Sequence, residues 1–207
     1  MARDRAQPYF VSDPLAIIFA NEAQNEACRR GDLLIDSASA MCSISVSAGE
    51  PLIRLHRSII DVRRAILSRA ATQLLPIETA DLDMFSSAWE SETGSPSRYV
   101  IDFQSGSIRL YPSPNADDVL QLTVRRLPVN GMEDDQDEPE IRQEAHLALV
   151  HWIMFRAYST SDSDMYDATK AGNALREFER EFGAKSSSRN EAWERTINRD
   201  IGSCAIA

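Results

Sequence analysis

Residues 99–112 read YVIDFQSGSIRLYP, and their pattern sets the fold class. Tyr99, Ile101 and Phe103 alternate with Val100 and Asp102, Gln104-Ser105-Gly106 supplies turn residues, and Ile108 and Leu110 resume the alternation before Pro112 stops it. A period of two around a glycine-containing turn marks a β-hairpin. A third alternating run follows, Leu120, Leu122 and Val124 against Gln121, Thr123 and Arg125, and it stops at Pro128. Together the runs predict a three-stranded meander with one buried and one wet face, its second link a polar loop from Pro112 to Asp118.

Upstream the same period persists. Cys42, Ile44 and Val46 are separated by Ser43 and Ser45 before an Ala48-Gly49-Glu50-Pro51 turn, which predicts a strand and hairpin. Leu52 to Leu55 and Ser58 to Arg69 interleave apolar residues with arginines and predict further strands. One short helix interrupts them over Asp81 to Glu92, with Leu82, Phe85 and Trp89 on one face and Gly94-Ser95-Pro96 as its stop.

Both flanks change to a helical period. Asp13-Pro14 predicts a helix start and Gly31 its end, with Ala16, Ala20, Ala23 and Ala27 forming a thin apolar stripe beside Leu15, Ile18 and Phe19. Glu22 and Glu26 precede Arg29 and Arg30, the order the helix dipole favours. Downstream, Glu133 to Glu140 reads EDDQDEPE and leads into a helix expected to start at Pro139, its face traced by Ile141, Ala145, Ala148, Leu149, Trp152 and Phe155. After the polar stretch Ser159 to Asp164, Met165, Ala168, Gly172, Leu175, Phe178 and Phe182 predict another helix ending at Gly183, antiparallel to the one before it. Ser186-Ser187-Ser188 then opens a polar segment in which Trp193 and Ile197 stand apart; Trp193 suits either a partner anchor or packing against its own helices.

The expected fold is therefore α+β: a helical bundle from the N-terminal and C-terminal helices with an inserted, mainly antiparallel β-rich region. The expected boundaries are 1–39 for the first part of the bundle, 40–130 for the β-rich insertion with one short helix, 131–183 for the C-terminal helices and 184–207 for a C-terminal arm. No repeat of 20 to 50 residues is visible.

Composition narrows the function. The 207 residues are 43% hydrophobic and 26% charged, ordinary for a globular chain, and the formal charge of −10 repels a phosphate backbone. Arg63-Arg64 and Arg125-Arg126 read as solvated pairs. Cys28, Cys42 and Cys204 lack the spacing of a disulfide framework or zinc site. No apolar run approaches the roughly 20 residues of a membrane span, and the charged start followed by Pro8 and Asp13-Pro14 does not resemble a secretion signal, so a cytosolic protein is expected. Of the three histidines, His56 stands alone, and His146 and His151 are five apart on different helical faces, unsuited to chelation. The acidic run lacks a cation loop's glycine, and neither a phosphate-cradling loop nor a nucleophile elbow is present. Trp89, Trp152, Phe155, Phe178 and Phe182 read as core. No catalytic residue, cofactor or metal site is expected.

Five segments in combination go further: NEAQNEACRRGDLL at 21–34, WESETGSPSRYVIDF at 89–103, GSIRLYPSP at 106–114, LQLTVRRLP at 120–128 and EPEIRQEAHLALVHWIMFRAY at 138–158. Over about residues 14 to 183 the chain resembles the head-to-tail adaptor, or connector, proteins beneath the portal of tailed bacteriophages. The resemblance implies a non-enzymatic structural virion protein, assembled in the host cytoplasm and residing at the head–tail junction. It implies a homo-oligomer, commonly a twelvefold ring, between a portal protein and a tail or nozzle protein, extending the channel in which DNA is transient cargo. It also implies that residues 184–207, with Trp193, Arg195 and Ile197, form a portal-facing arm, and that the β-rich region faces the tail side or a neighbouring subunit. An acidic wall lets DNA slide, so Glu133, Asp134, Asp135, Asp137 and Glu138 are the expected channel rim. The competing expectation is a helical-bundle binding or chaperone-like module without catalytic activity.

Overall fold

A thin helix face needs a close neighbour, and α1, Asp13–Arg30, has one: Ala23, Ala27 and Cys28 are fully buried. The computed structural model describes residues 11–160 and 166–185. Its cap is Ser12 and not Asp13, which is already helical, with Pro14 beside it in the first turn where a missing N–H loses nothing. Gly31 ends the helix by turning to extended backbone while its N–H donates to the Ala27 carbonyl at 2.9 Å.

The fold is α+β, and the chain divides into two compact units. One is Ile35–Arg126. Its strands are β1 Ile35–Asp36, β2 Ser43–Val46, β3 Leu52–Arg54, β4 Ile59–Leu67 and β5 Thr72–Pro76, then, after the helix α2 Thr79–Phe85, β6 Thr93–Gly94, β7 Arg98–Ile101, β8 Ser107–Tyr111, β9 Ser113–Pro114 and β10 Asp118–Arg126. Eight strands form one sheet in the order β1-β10-β4-β5-β7-β8-β3, with β2 also on β10. Every ladder in it is antiparallel except β5–β7; β6 and β9 form a separate parallel pair. The alternation read in β10 sends Leu120, Leu122 and Val124 into a core shared with Val62, Leu67, Leu74, Ile108 and Leu110.

Two expected pairings are different in the structure. The β7–β8 hairpin is present, but the meander is not: the other edge of β8 is taken by β3, and β10 runs its full length beside β4, Leu122 opposite Ala65. Nor do β2 and β3 form a hairpin; the turn between them is a corner that sends them to β10 and β8. Gly49 makes that corner with φ +82°, a conformation costly for any side chain, and its N–H is bound by the Pro114 carbonyl at 2.7 Å. The short helix also breaks early. Ser86 caps α2, leaving Phe85 80% exposed, while Trp89 sits in a 3₁₀ turn and is held in the core by its Nε1–H donating to Asp83 at 2.8 Å.

Among the described residues the other unit joins 11–34 to 127–160 and 166–185. Beyond α1 it contains α3, Leu149–Ser159, and α4, Ala168–Phe182. The helix expected from Pro139 starts ten residues late because a histidine intercepts it: the His146 ring binds the Ile141 carbonyl at 2.8 Å, the group a helical Ala145 amide would need. The backbone instead makes 3₁₀-type bonds from Ala145 to His151 before settling into α3. In α4 the buried stripe is Ala171, Ala174, Phe178 and Phe182; Ala168 and Gly172 face solvent, and Met165 lies outside the described residues. The Asp167 carboxylate caps α4 by accepting from the Lys170 amide. The helices run antiparallel, Tyr158 beside Lys170 at one end and Trp152 against Phe178 nearer the other.

Candidate assembly surfaces

The most acidic segment is held rigidly, and α1 holds it. Asn21 is amphoteric, so its amide can both donate to and accept from one peptide unit: its Nδ2 donates to the Met132 carbonyl at 2.8 Å and its Oδ1 accepts the Met132 amide at 2.9 Å. One turn on, buried Gln24 donates to Asn21 and accepts the Glu140 amide at 3.3 Å, while Glu140 accepts the Val129 amide at 2.8 Å. Both ends of the segment are thus pinned. Inside it, the Asp137 carboxylate accepts the amides of Glu133 and Asp134, which holds its pKa below the usual carboxylate range. Asp134 closes a second turn by accepting the Gln136 amide. Glu133, Asp134, Asp135, Asp137 and Glu138 are all exposed, with Asp134 and Asp137 turned onto the loop's own amides. Among the described residues no group of histidine, cysteine or acidic side chains is arranged to hold a metal ion.

Below this loop the helical unit is locked by a cation that sequence reasoning treated only as a last-turn base. The Arg30 side chain is 3% exposed, lies 5.1 Å from the Phe178 ring centroid and 5.5 Å from that of Trp152, and reaches Glu26 and Glu179 at 3.5 Å. Rings and carboxylates together stabilise a charge that burial alone would penalise. Arg156 on α3 likewise pairs with Glu22 at 2.8 Å and covers Phe19. The only signal of these contacts in the sequence is the coexistence of helix-borne arginines with aromatics far along the chain.

Apolar side chains remain exposed at several places among the described residues, Leu15 and Ile18 on α1 included. Met84 and Phe85 project from the end of α2. Val150 and Met154 on α3 and Leu147 in the turn before it are exposed as well, and Met154 lines a groove between α3 and α4.

In the sheet unit an open cleft of about 640 Å³ lies among Met41, Ile44, Arg54, Leu55 and His56. The His56 Nδ1 is 2.7 Å from the Ser58 hydroxyl and accepts the Ser58 amide at 3.3 Å, contacts that order a turn; among the described residues these are the hydrogen bonds that place the ring, and no carboxylate joins them. Asp36, nearby in the chain, is pushed up by burial but more strongly down by the amides of Ser39 and Ala38 and by Arg126 at 2.8 Å, so it stays well below the carboxylate range. Trp193, Arg195 and Ile197 lie outside the described residues.

A surface built for contact, with its charge and exposed apolar groups held on rigid elements, accords with the comparison to known families. Residues 2–200 match the family model described as SU10 adaptor protein. The chain belongs to the SU10 adaptor protein family. Membership bears out the resemblance to phage head-to-tail adaptors and points to a structural role in a bacteriophage. A search of curated proteins found no match. No helix among the described residues is long and apolar enough to cross a membrane. In this adaptor family member the acidic segment lies among the described residues and is ordered by the contacts of Asn21 and Gln24.

Proposed function

We propose that this adaptor assembles as a homo-oligomeric ring, twelvefold, between the portal and the tail of a phage particle, and that the ring extends the channel through which DNA leaves. The helices of the first and last thirds of the chain act as the bundle that forms the ring wall, the sheet unit faces the tail side or a neighbouring subunit, and residues 184–207 reach the portal. Family membership over residues 2–200 is the observation that carries this reading.

The charge distribution supports it. Residues 1–34 and 127–185 contain 18 of the 32 acids against 10 of the 22 bases, so most of the net charge of −10 belongs to the helical unit. Glu133, Asp134, Asp135, Asp137 and Glu138, exposed on the loop that Asn21 and Gln24 clamp, suit a channel rim that offers phosphates no partners. Native mass measurement of the full chain, alone and with its portal, tests the proposal. A large ring, or a monomer that becomes one on the portal, is expected; a small fixed oligomer indifferent to the portal would overturn it.

A further inference from the structure

The groove between α3 and α4 has a volume of about 290 Å³ and an uneven chemistry: Met154 and Tyr158 make its α3 wall, Lys170, Ala174 and Glu177 its α4 wall. Met154, which lines it, is 36% exposed; Val150, one turn earlier on α3, is 45% exposed, and Leu147, in the turn that precedes α3, 83%. Such exposed apolar groups in water are a site for an amphipathic helix with anchors three or four residues apart.

The chain beyond Lys185 supplies one. Residues 186–207 lie outside the described residues, and their sequence places Trp193, Ile197 and Ile201 four apart, a helical stripe, with Arg195 and Asp200 off it. The chain departs from the end of α4, and because α3 and α4 are antiparallel that end lies toward the start of α3, where these exposed side chains begin. From Gly183 to Arg189 there are seven residues, within the usual length for a link between packed helices. A helix running back along α4 after that link sets position 195 level with 177 and position 200 within a turn of 170. Arg195 then joins Arg180 at Glu177, and Asp200 joins Asp167 at Lys170, so opposite charges face each other at both ends of the groove.

We propose that residues 190–201 dock as a helix in the α3–α4 groove of their own subunit, with Trp193 on Leu147 and Val150, Ile197 on Met154 and Ile201 on Tyr158. The docking is intramolecular and is read without the portal, so its success or failure is separate from that of the ring. It gives the segment a resting place before any partner engages it.

Disulfide trapping in the full chain tests this. In a Cys204→Ser background, in which the remaining Cys28 and Cys42 are buried, Ile197→Cys is combined with Met154→Cys and oxidised mildly. Most of the protein should link within one chain, since a disulfide forms only when the Cα atoms approach within about 7 Å. Ile197→Cys with Met84→Cys, which is more exposed than position 154 but on the sheet unit, should not link. Absence of the 154–197 link, a link between subunits, or equal linking to position 84 overturns the proposal. As a second measurement independent of the cysteines, hydrogen exchange should show amides 190–201 protected, at least tenfold less so in Glu177→Arg, and restored by adding Arg195→Glu. Unprotected amides in the unmodified chain, or no rescue, overturn it too.

Discussion

Asn21 grips Met132 from both sides of one peptide unit, donating to its carbonyl at 2.8 Å and accepting from its amide at 2.9 Å, across 111 residues of sequence. A helix side chain thereby substitutes for the strand partner that an isolated loop does not have. Because a carboxylate can only accept, Asn21→Asp removes the donor and leaves the Met132 carbonyl without it. We predict a loss of about 1–3 kcal/mol in urea denaturation, together with faster hydrogen exchange over residues 131–140. Unchanged exchange would show that the acidic loop orders itself.

Arg30 is a stronger test of the helical unit. Arg30→Met retains the packing against Trp152 and Phe178 but removes the buried cation that reaches Glu179 and leaves Glu26 with Arg29 alone. A destabilisation of about 2–4 kcal/mol is expected, at the lower end for Arg30→Lys, which keeps the charge and loses the planar fork. If Arg30→Met proved neutral, the rings and not the ion pairs would hold the helices.

Asp36 carries a pH signature. Its folded pKa lies below the unfolded value of about 3.9, so its ionised form stabilises the fold above that value and the contribution is lost as the pH falls toward the folded pKa. Asp36→Asn should therefore lower stability by about 2 kcal/mol at pH 7, and the gap to the parent should narrow below about pH 4. Urea midpoints at pH 7 and pH 3 measure it; a gap that widens in acid would reverse the assignment.

Ala71 is held at φ +49° in the turn between β4 and β5, where Asp118 binds the amides of Arg69 and Ala70. The left-handed region costs a residue with a Cβ about 1–2 kcal/mol, and glycine gives back about 0.4–1 kcal/mol of that through greater freedom of the unfolded chain. Ala71→Gly should raise stability by about 0.5–1 kcal/mol, seen as a higher thermal midpoint.

The acidic loop can be recharged without touching its turn-forming aspartates. Glu133→Lys, Asp135→Lys and Glu138→Lys combined should change stability by less than about 0.5 kcal/mol because all three side chains are exposed. Weak duplex DNA binding should appear, steepening as salt is lowered, in a filter or polarisation assay. Absence of any gain would argue that this loop is not where DNA passes.

What could be read from the sequence was local. Leu120, Leu122 and Val124 announce a buried strand face, and the Gly106 turn announces a hairpin, because the side-chain period and the turn chemistry are carried by adjacent residues. Which strand β10 joins was not legible, since that depends on the edge of β8 being occupied by β3, a pairing remote in sequence. Pro139 looked like a helix start, and only the fold reveals that the His146 ring claims the Ile141 carbonyl. The acidic surface was found by composition alone. Its clamp was missed, because Asn21 and Gln24 read as ordinary polar positions on a helix until Met132 and Glu140 are brought beside them.

The sheet unit enters and leaves through one doorway. Ile35 stands opposite Arg125 and Asp36 opposite Val124 in an antiparallel ladder, and Asp36 and Arg126 are joined by an ion pair at 2.8 Å. Antiparallel partners have Cα atoms only about 4.5–5.5 Å apart, so the 92 residues of Ile35–Arg126 hang from a gap that a turn of two or three residues could span. Evolution, or an engineer, can therefore exchange this cassette wholesale for another of different size without lengthening the path between Leu34 and Leu127.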